Sequence, residues 1–284
     1  MNWRIGLWIM VVALSSQGDA TQAQSPSLMD QLTQRGVTIP EKHVVLVPPP
    51  TLADHLTAEQ RRQKLSALAG GATWKQFSRD SVVAPVAIDL DYIKDDDGAR
   101  IGHSIHVAFV VHTPIETFAD EDLMEQIFGD RDKSDENKTA ESQKLSDDQL
   151  GALGIEPVES TSFTRTRFTL LKKVLVNGVL QTETAATNDT KSVAVYLDPR
   201  FSDDNWWMRV SNDQAAPASK KNRYVGAGGY VVIARLTELD GASLVEARFI
   251  LHEPQSWFSG SNLLRSKLPL MIQESARKFR RKLK

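Results

Sequence analysis

The stretch that most constrains this chain runs from Tyr230 to Lys284. It starts with two strand-like runs, YVVIARLT and ASLVEARFILHE, joined at Asp240-Gly241, a dipeptide suited to the positive φ angles of a tight hairpin. SGSNLLRSKLPLMIQESARKFRRKLK follows, with Leu264, Leu268, Ile272, Ala276, Phe279 and Leu283 on one stripe at helical spacing. A hairpin that ends in a long one-sided helix hides both apolar faces only if the stripe lies across the sheet. On the last strand Val245, Ala247, Phe249 and Leu251 alternate with Glu246, Arg248 and His252. The first set is therefore expected in the core and the second on a solvated outer face, the alternative being a pocket lined by those ionisable groups.

Upstream, the pattern is mostly β. In RIGHSIHVAFVVHT, Ile101, His103, Ile105, Val107, Phe109 and Val111 share one face by alternation, and a hairpin around Asp96-Asp97-Gly98 joins this run to SVVAPVAIDLDYI. Asn177-Gly178 inside STSFTRTRFTLLKKVLVNGVLQTETA predicts a second turn. SVAVYLD and the Trp206-Trp207 run add strands. TLADHLTAEQRRQKLSALAGG reads as an amphipathic helix stopped by Gly70-Gly71, and ETFADEDLMEQIFG as a short helix. Residues 21–50 show no sustained period and end in VVLVPPP, which predicts a linker and lead-in strand. DRDKSDENKTAESQKLSDD, at about 130–148, is too polar to bury anything and reads as a solvated loop inserted in one domain over 51–284.

The N-terminus MNWRIGLWIMVVALSSQGDA sets Arg4 before an apolar run and then small residues, the layout of a secretory signal peptide over 1–20. The apolar run is shorter than the roughly 20 residues that span a bilayer. Cleavage after Ala20 or Ala23 places the mature protein in a periplasm or outside the cell. The absence of cysteine fits an exported chain that relies on its core, and it excludes thiol nucleophiles, zinc-thiolate sites and iron-sulfur clusters. A net charge of −2 gives no global pull toward nucleic acid, which is not an expected partner.

The order of early helix, antiparallel hairpins and terminal helix, closing in LVEARFILHEPQSWFSGSNLLRSKLPLMIQESARKFRRKL, resembles the helix-grip fold of START lipid-transfer and polyketide-cyclase-like proteins, the SRPBCC type. It does so over roughly Thr51 to Leu283. The resemblance implies an α+β fold in which a curved antiparallel sheet grips the long C-terminal helix. It also implies an apolar or lipid-like ligand between the two, often without catalysis. The alternative is a structural or protein-interaction domain whose own side chains fill that space.

No GxSxG or HExxH constellation is present, and nothing identifies a reaction, so a non-enzymatic role with no cofactor is expected. His103 and His106, three apart on a strand, point to opposite faces and do not form a metal pair; no metal site is expected. His103 is the polar candidate for a cavity, with Tyr230, Phe249, Trp257 and Phe258 as candidate lining residues, Trp257 at the mouth. GAGG at Gly226 to Gly229 lacks a phosphate-loop context and predicts a bulge or close backbone approach before the Tyr230 strand. Arg277, Lys278, Arg280 and Arg281 complement the helix C-terminus and are candidates for contact with an anionic membrane surface.

Overall fold

The computed structural model describes residues 27–40, 43–52, 56–119, 140–156, 158, 160–210 and 220–284. Ten strands form one open antiparallel sheet: β3 (Ala87–Lys94), β4 (Arg100–Val111), β5 (Ala140–Lys144), β6 (Thr161–Leu170), β7 (Val174–Ala186), β8 (Thr190–Leu197), β9 (Trp206–Arg209), β10 (Asn222–Arg223), β11 (Ala227–Arg235) and β12 (Ser243–His252). Its order is β10-β9-β7-β8-β11-β12-β4-β3, with β6 and then β5 added along β7. The Asp240-Gly241 turn forms as the sequence requires, with Gly241 at φ 64° and Ile233 opposite Val245. Gly98 at φ 80° likewise closes the turn between β3 and β4, where the Asp95 carboxylate accepts from the Ala99 N–H.

The terminal helix, Leu263–Lys282, lays its stripe on one sheet face. Ile272, Ala276 and Phe279 are buried against Ile105, Val107, Phe109, Val231, Val245, Ala247 and Phe249. This is the helix-grip α+β arrangement expected from the sequence. Phe279 meets Phe109 edge-on at 5.8 Å and stacks on Phe118 at 6.1 Å, so this end of the layer is filled by aromatic contact.

The opposite sheet face differs from expectation. It is not solvated: residues 27–40 and 43–52 pack over it as a second layer. A helical turn α1 (Leu28–Asp30) runs into a π-helical turn (Gln31–Arg35) and a small hairpin of β1 (Val37–Thr38) and β2 (Val44–Val45). Leu28, Leu32, Val37, Ile39 and Val47 join Tyr196, Tyr230, Val232, Leu244 and Ile250 in one buried cluster. Helix α2 (Ala58–Leu68), started by a Thr57/Gln60 capping box, adds Leu65 to it. The segment expected to be a linker is thus a structural layer, tied down where the Leu28 N–H donates to Glu183 and the Tyr230 hydroxyl to the Pro48 carbonyl. An irregular cover needs apolar residues at matched positions, not a period. Such a segment therefore carries no periodic signal in the sequence.

The glycines of GAGG seat this layer. A Cβ on Gly226 would lie 2.5 Å from Ile39 Cγ2, and one on Gly228 2.9 Å from Val37 Cγ2, so close backbone approach is the role these residues play. Asn177-Gly178 is not a turn. Both lie inside β7, and the chain reverses at Leu171 and Lys172, with φ of 50° and 56°. Gly178 instead admits the Asp198–Asn205 loop, whose Asn205 Oδ1 accepts from the Val179 N–H at 2.9 Å.

The polar segment at 130–148 is in part structured. Ala140–Lys144 adds to the sheet beside β6, and α4 (Asp147–Gly151), the helix that follows α3 (Trp74–Phe77), buries Leu150. A strand at a sheet edge keeps its side chains in water, so a polar sequence suits it. Residues 130–139, the segment 1–20 expected to be a signal peptide, most of the short helix expected near Phe118–Phe128 and the polar stretch 211–219 lie outside the described residues.

Candidate functional site

Where β12 gives way to the terminal helix, a buried polar group gathers. Glu253 follows β12 directly, and its N–H donates to the Ile101 carbonyl. A register shift in the β3–β4 pairing at this point turns Ile101 toward the N-terminal layer, whereas Ile105, Val107 and Phe109 face the terminal helix. His103 Nε2 makes a short hydrogen bond to the Glu253 carboxylate, and the other Glu253 oxygen accepts from Arg100 Nη2 at 3.1 Å. Both the His103 and Glu253 side chains are 1% exposed. Arg100 also donates to Asn262 Oδ1 at 2.7 Å, which ties β4 to the start of the helix. Tyr92 completes the group: its ring lies 5.1 Å from that of His103, with the Arg265 guanidinium 4.4 Å from its centroid.

Beside it stands an aromatic stack. Tyr224 lies over Trp257 at 5.5 Å and over His252 at 5.9 Å, while Trp207 and Phe258 meet Trp257 edge-on. Leu264 of the terminal helix packs into the same cluster. Burial pushes the His252 imidazole down to about 4 and, with the Glu253 charge nearby, drives the Tyr224 phenol far above its ordinary value.

Six buried side-chain polar atoms lack a hydrogen-bond partner among the described residues, and four of them are here: Arg100 Nε, His103 Nδ1, His252 Nδ1 and Trp257 Nε1. An unsatisfied buried polar atom costs about 1–3 kcal/mol, so such atoms are normally scattered and few. All four belong to residues at the end of the sheet where β12 runs into the terminal helix.

The five candidate residues divide. His103 and Phe249 face the helix, Trp257 and Phe258 sit at the junction, and Tyr230 lies on the far sheet face under the N-terminal layer. Trp257 is interior, at 1% exposure, not at a surface mouth. Sequence reasoning missed Glu253, Arg100, Tyr224 and Asn262. A single buried carboxylate just past a strand leaves no periodic trace, and only the register of β3, β4 and β12 brings its partners to it.

His106 points away from His103, as alternation predicts, and bonds Glu246 at 3.0 Å on the far face. There Glu246 also accepts from the Thr51 N–H and hydroxyl and from Arg248. Burial would raise the Glu246 carboxyl, but His106, Thr51 and Arg248 together hold it below its ordinary value. The expected solvated row of Glu246, Arg248 and His252 is therefore an enclosed one, with Glu246 and His252 buried and Arg248 largely so. In the basic terminal run Arg280 is buried and donates to main-chain carbonyls, so it is not part of an exposed basic face; Arg281 pairs with Glu274.

No protein-family model matches the chain, and no curated protein does. Among solved structures it is similar to the human StarD13 lipid transfer and protein localization domain, at 12% identity over 69% of this chain and 84% of that one, with a TM-score of 0.38. Human STARD10 gives 13%, 81% and 84% with a TM-score of 0.36. A Thermus thermophilus protein gives 12%, 63% and 93% with 0.30. The helix-grip arrangement itself stands on the sheet order and on the terminal helix laid across it.

Proposed function

We propose that this chain is a binding protein for an apolar molecule with one polar end, held between the sheet and the terminal helix near Trp257. The observation that carries this reading is four unpartnered buried polar atoms, two in the His103–Glu253–Arg100 group and two, of His252 and Trp257, in the aromatic stack beside it. Apolar side chains of Leu251, Leu264 and Phe258 border that cluster, so a polar head has donors and acceptors there and an apolar body has a wall. The Phe109–Phe279–Phe118 contacts favour the competing reading, a filled core with a structural or interaction role, at the other end of the helix.

Native mass spectrometry of protein purified from its own host separates the two. A copurifying apolar molecule is expected, and Trp257→Ala should reduce uptake of an apolar fluorescent probe more than it reduces stability. A ligand-free native spectrum together with no probe uptake by the folded wild type would reject the binding reading. Export is part of this proposal and rests on the Arg4-to-Ala20 pattern alone. Intact mass should show a mature chain starting near Thr21 or Gln24; a full-length cytosolic chain would overturn it.

A further inference from the structure

At the far end of the terminal helix from Trp257, a cavity of about 240 Å³ opens between the helix's last turn, the end of β4 and the Arg79–Ser81 segment. Arg280 forms its buried wall. The residue is 4% exposed, yet its four hydrogen bonds run to the carbonyls of Val110, Val82, Ala84 and Pro85, and no ion pair to a carboxylate is found for it among the described residues. A guanidinium carries five N–H donors, so these four acceptors leave one Nη2 hydrogen over. A buried cation is ordinarily matched by an opposite charge, and carbonyl dipoles supply only part of one.

The rest of the lining deepens the imbalance. Arg79 and Lys284 add two cations, and Asp80 is the single carboxylate, 3.0 Å from Lys284. Among the described lining side chains, three cations less one carboxylate leave an excess of two positive charges, counting His112 as neutral. Burial, with repulsion from Arg79, holds the Arg280 guanidinium down to about 10. The helix C-terminus adds a negative end of its own, but that field fades within a turn and is weaker than two full charges. The volume falls below the roughly 300–1,000 Å³ of pockets for extended organic ligands. A compact dianion matches both the charge and the space.

We propose that this cavity binds a phosphate group, gripped at the rim by Arg79 and Lys284 over the buried Arg280. The test is titration with inorganic phosphate against potassium chloride of equal ionic strength, followed by calorimetry and by the NMR resonances of His112 and the arginine side chains. Saturable binding to phosphate alone is expected. Arg79→Ala, at an exposed position, should weaken it about tenfold, the scale of a lost charge-assisted hydrogen bond, and leave the unfolding midpoint in chloride in place. A second arm uses phosphatidylcholine vesicles with and without phosphatidic acid. Sedimentation with the acidic vesicles, relieved by free phosphate and lost in Arg79→Ala, identifies a lipid headgroup as the source. Binding of free phosphate without vesicle binding identifies a soluble phosphate. Equal responses to phosphate and chloride, or unchanged phosphate affinity in Arg79→Ala, overturn the proposal.

Discussion

The sheet has two covered faces, and they are covered by opposite means. On one, a single long helix lays a regular stripe, Leu264 to Phe279, across β4, β11 and β12. On the other, an irregular segment of short turns and a two-residue hairpin sets Leu28, Leu32, Val37, Ile39 and Val47 into the pleat one at a time. The helix carries its own hydrogen bonds and brings only side chains to the contact. The N-terminal segment does not, and it borrows partners from the sheet: Glu183 for the Leu28 N–H, Glu246 for Thr51, and Tyr230, which donates to the Pro48 carbonyl. A cover of the second kind places glycine and buried acid where a sheet open to water has no need of either.

The largest effect should come from removing that second cover. Five buried aliphatic side chains at about 1.5–3 kcal/mol each amount to roughly 8–15 kcal/mol, comparable with the whole net stability of an ordinary domain. A chain beginning at Pro48 is therefore expected to lose cooperative unfolding in urea and to bind hydrophobic dyes. If it kept the unfolding midpoint of the longer chain, residues 27–47 would be an appendage and the two faces would not be equivalent.

The same contrast sets what was legible in the sequence. The terminal helix and the β11–β12 hairpin were readable because their signals are periodic and local: a stripe, an alternation and Asp-Gly at a position that needs positive φ. The N-terminal layer was not, since its apolar residues make sense only beside Gly226 and Gly228, nearly two hundred positions away. Asn177-Gly178 misled for a related reason. The pair is an excellent turn, but here the glycine is required by a loop packing on a strand interior. His103 was readable as a buried polar residue; its partner Glu253 was not, because the strand register and not the sequence spacing brings the two together.

A smaller effect tests the helix side. Phe279 is 3% exposed and touches Phe109 and Phe118, so Phe279→Ala should cost about 3–5 kcal/mol in denaturant unfolding. A loss below about 0.5 kcal/mol would mean that the helix rests on the sheet without being gripped by it, and the filled-core reading would fall with it. The junction between the faces responds to pH. His252 has a folded value near 4 against an ordinary 6.5, so the unfolded chain binds the extra proton between those limits. Its contribution is complete above pH 6.5 and is lost as pH falls toward 4, on the order of 3 kcal/mol in all. Replacing His252 with Gln should flatten the stability profile over that window, and an unchanged slope would remove His252 from the account.

The smallest expected effect bears most directly on how the irregular cover is seated. A Cβ on Gly228 would stand 2.9 Å from Val37 Cγ2 and 3.0 Å from Leu32 Cδ2 and Tyr196 Cδ2, all side-chain atoms that can give by a few tenths of an ångström. The backbone there is ordinary strand with no positive φ, so alanine is conformationally acceptable and the cost is steric alone. Gly228→Ala should therefore destabilise by about 1–2 kcal/mol in the full chain. Gly71→Ala serves as the control: nothing stands within 4 Å of its Cβ, and a change within about 0.5 kcal/mol is expected. Shortening the neighbour separates the steric cause from any other, because Val37→Ala removes the methyl that the new Cβ meets. In that background the penalty for Gly228→Ala should shrink. An undiminished penalty would place the constraint in β11 itself, and the glycines would then belong to the strand and not to the layer laid over it.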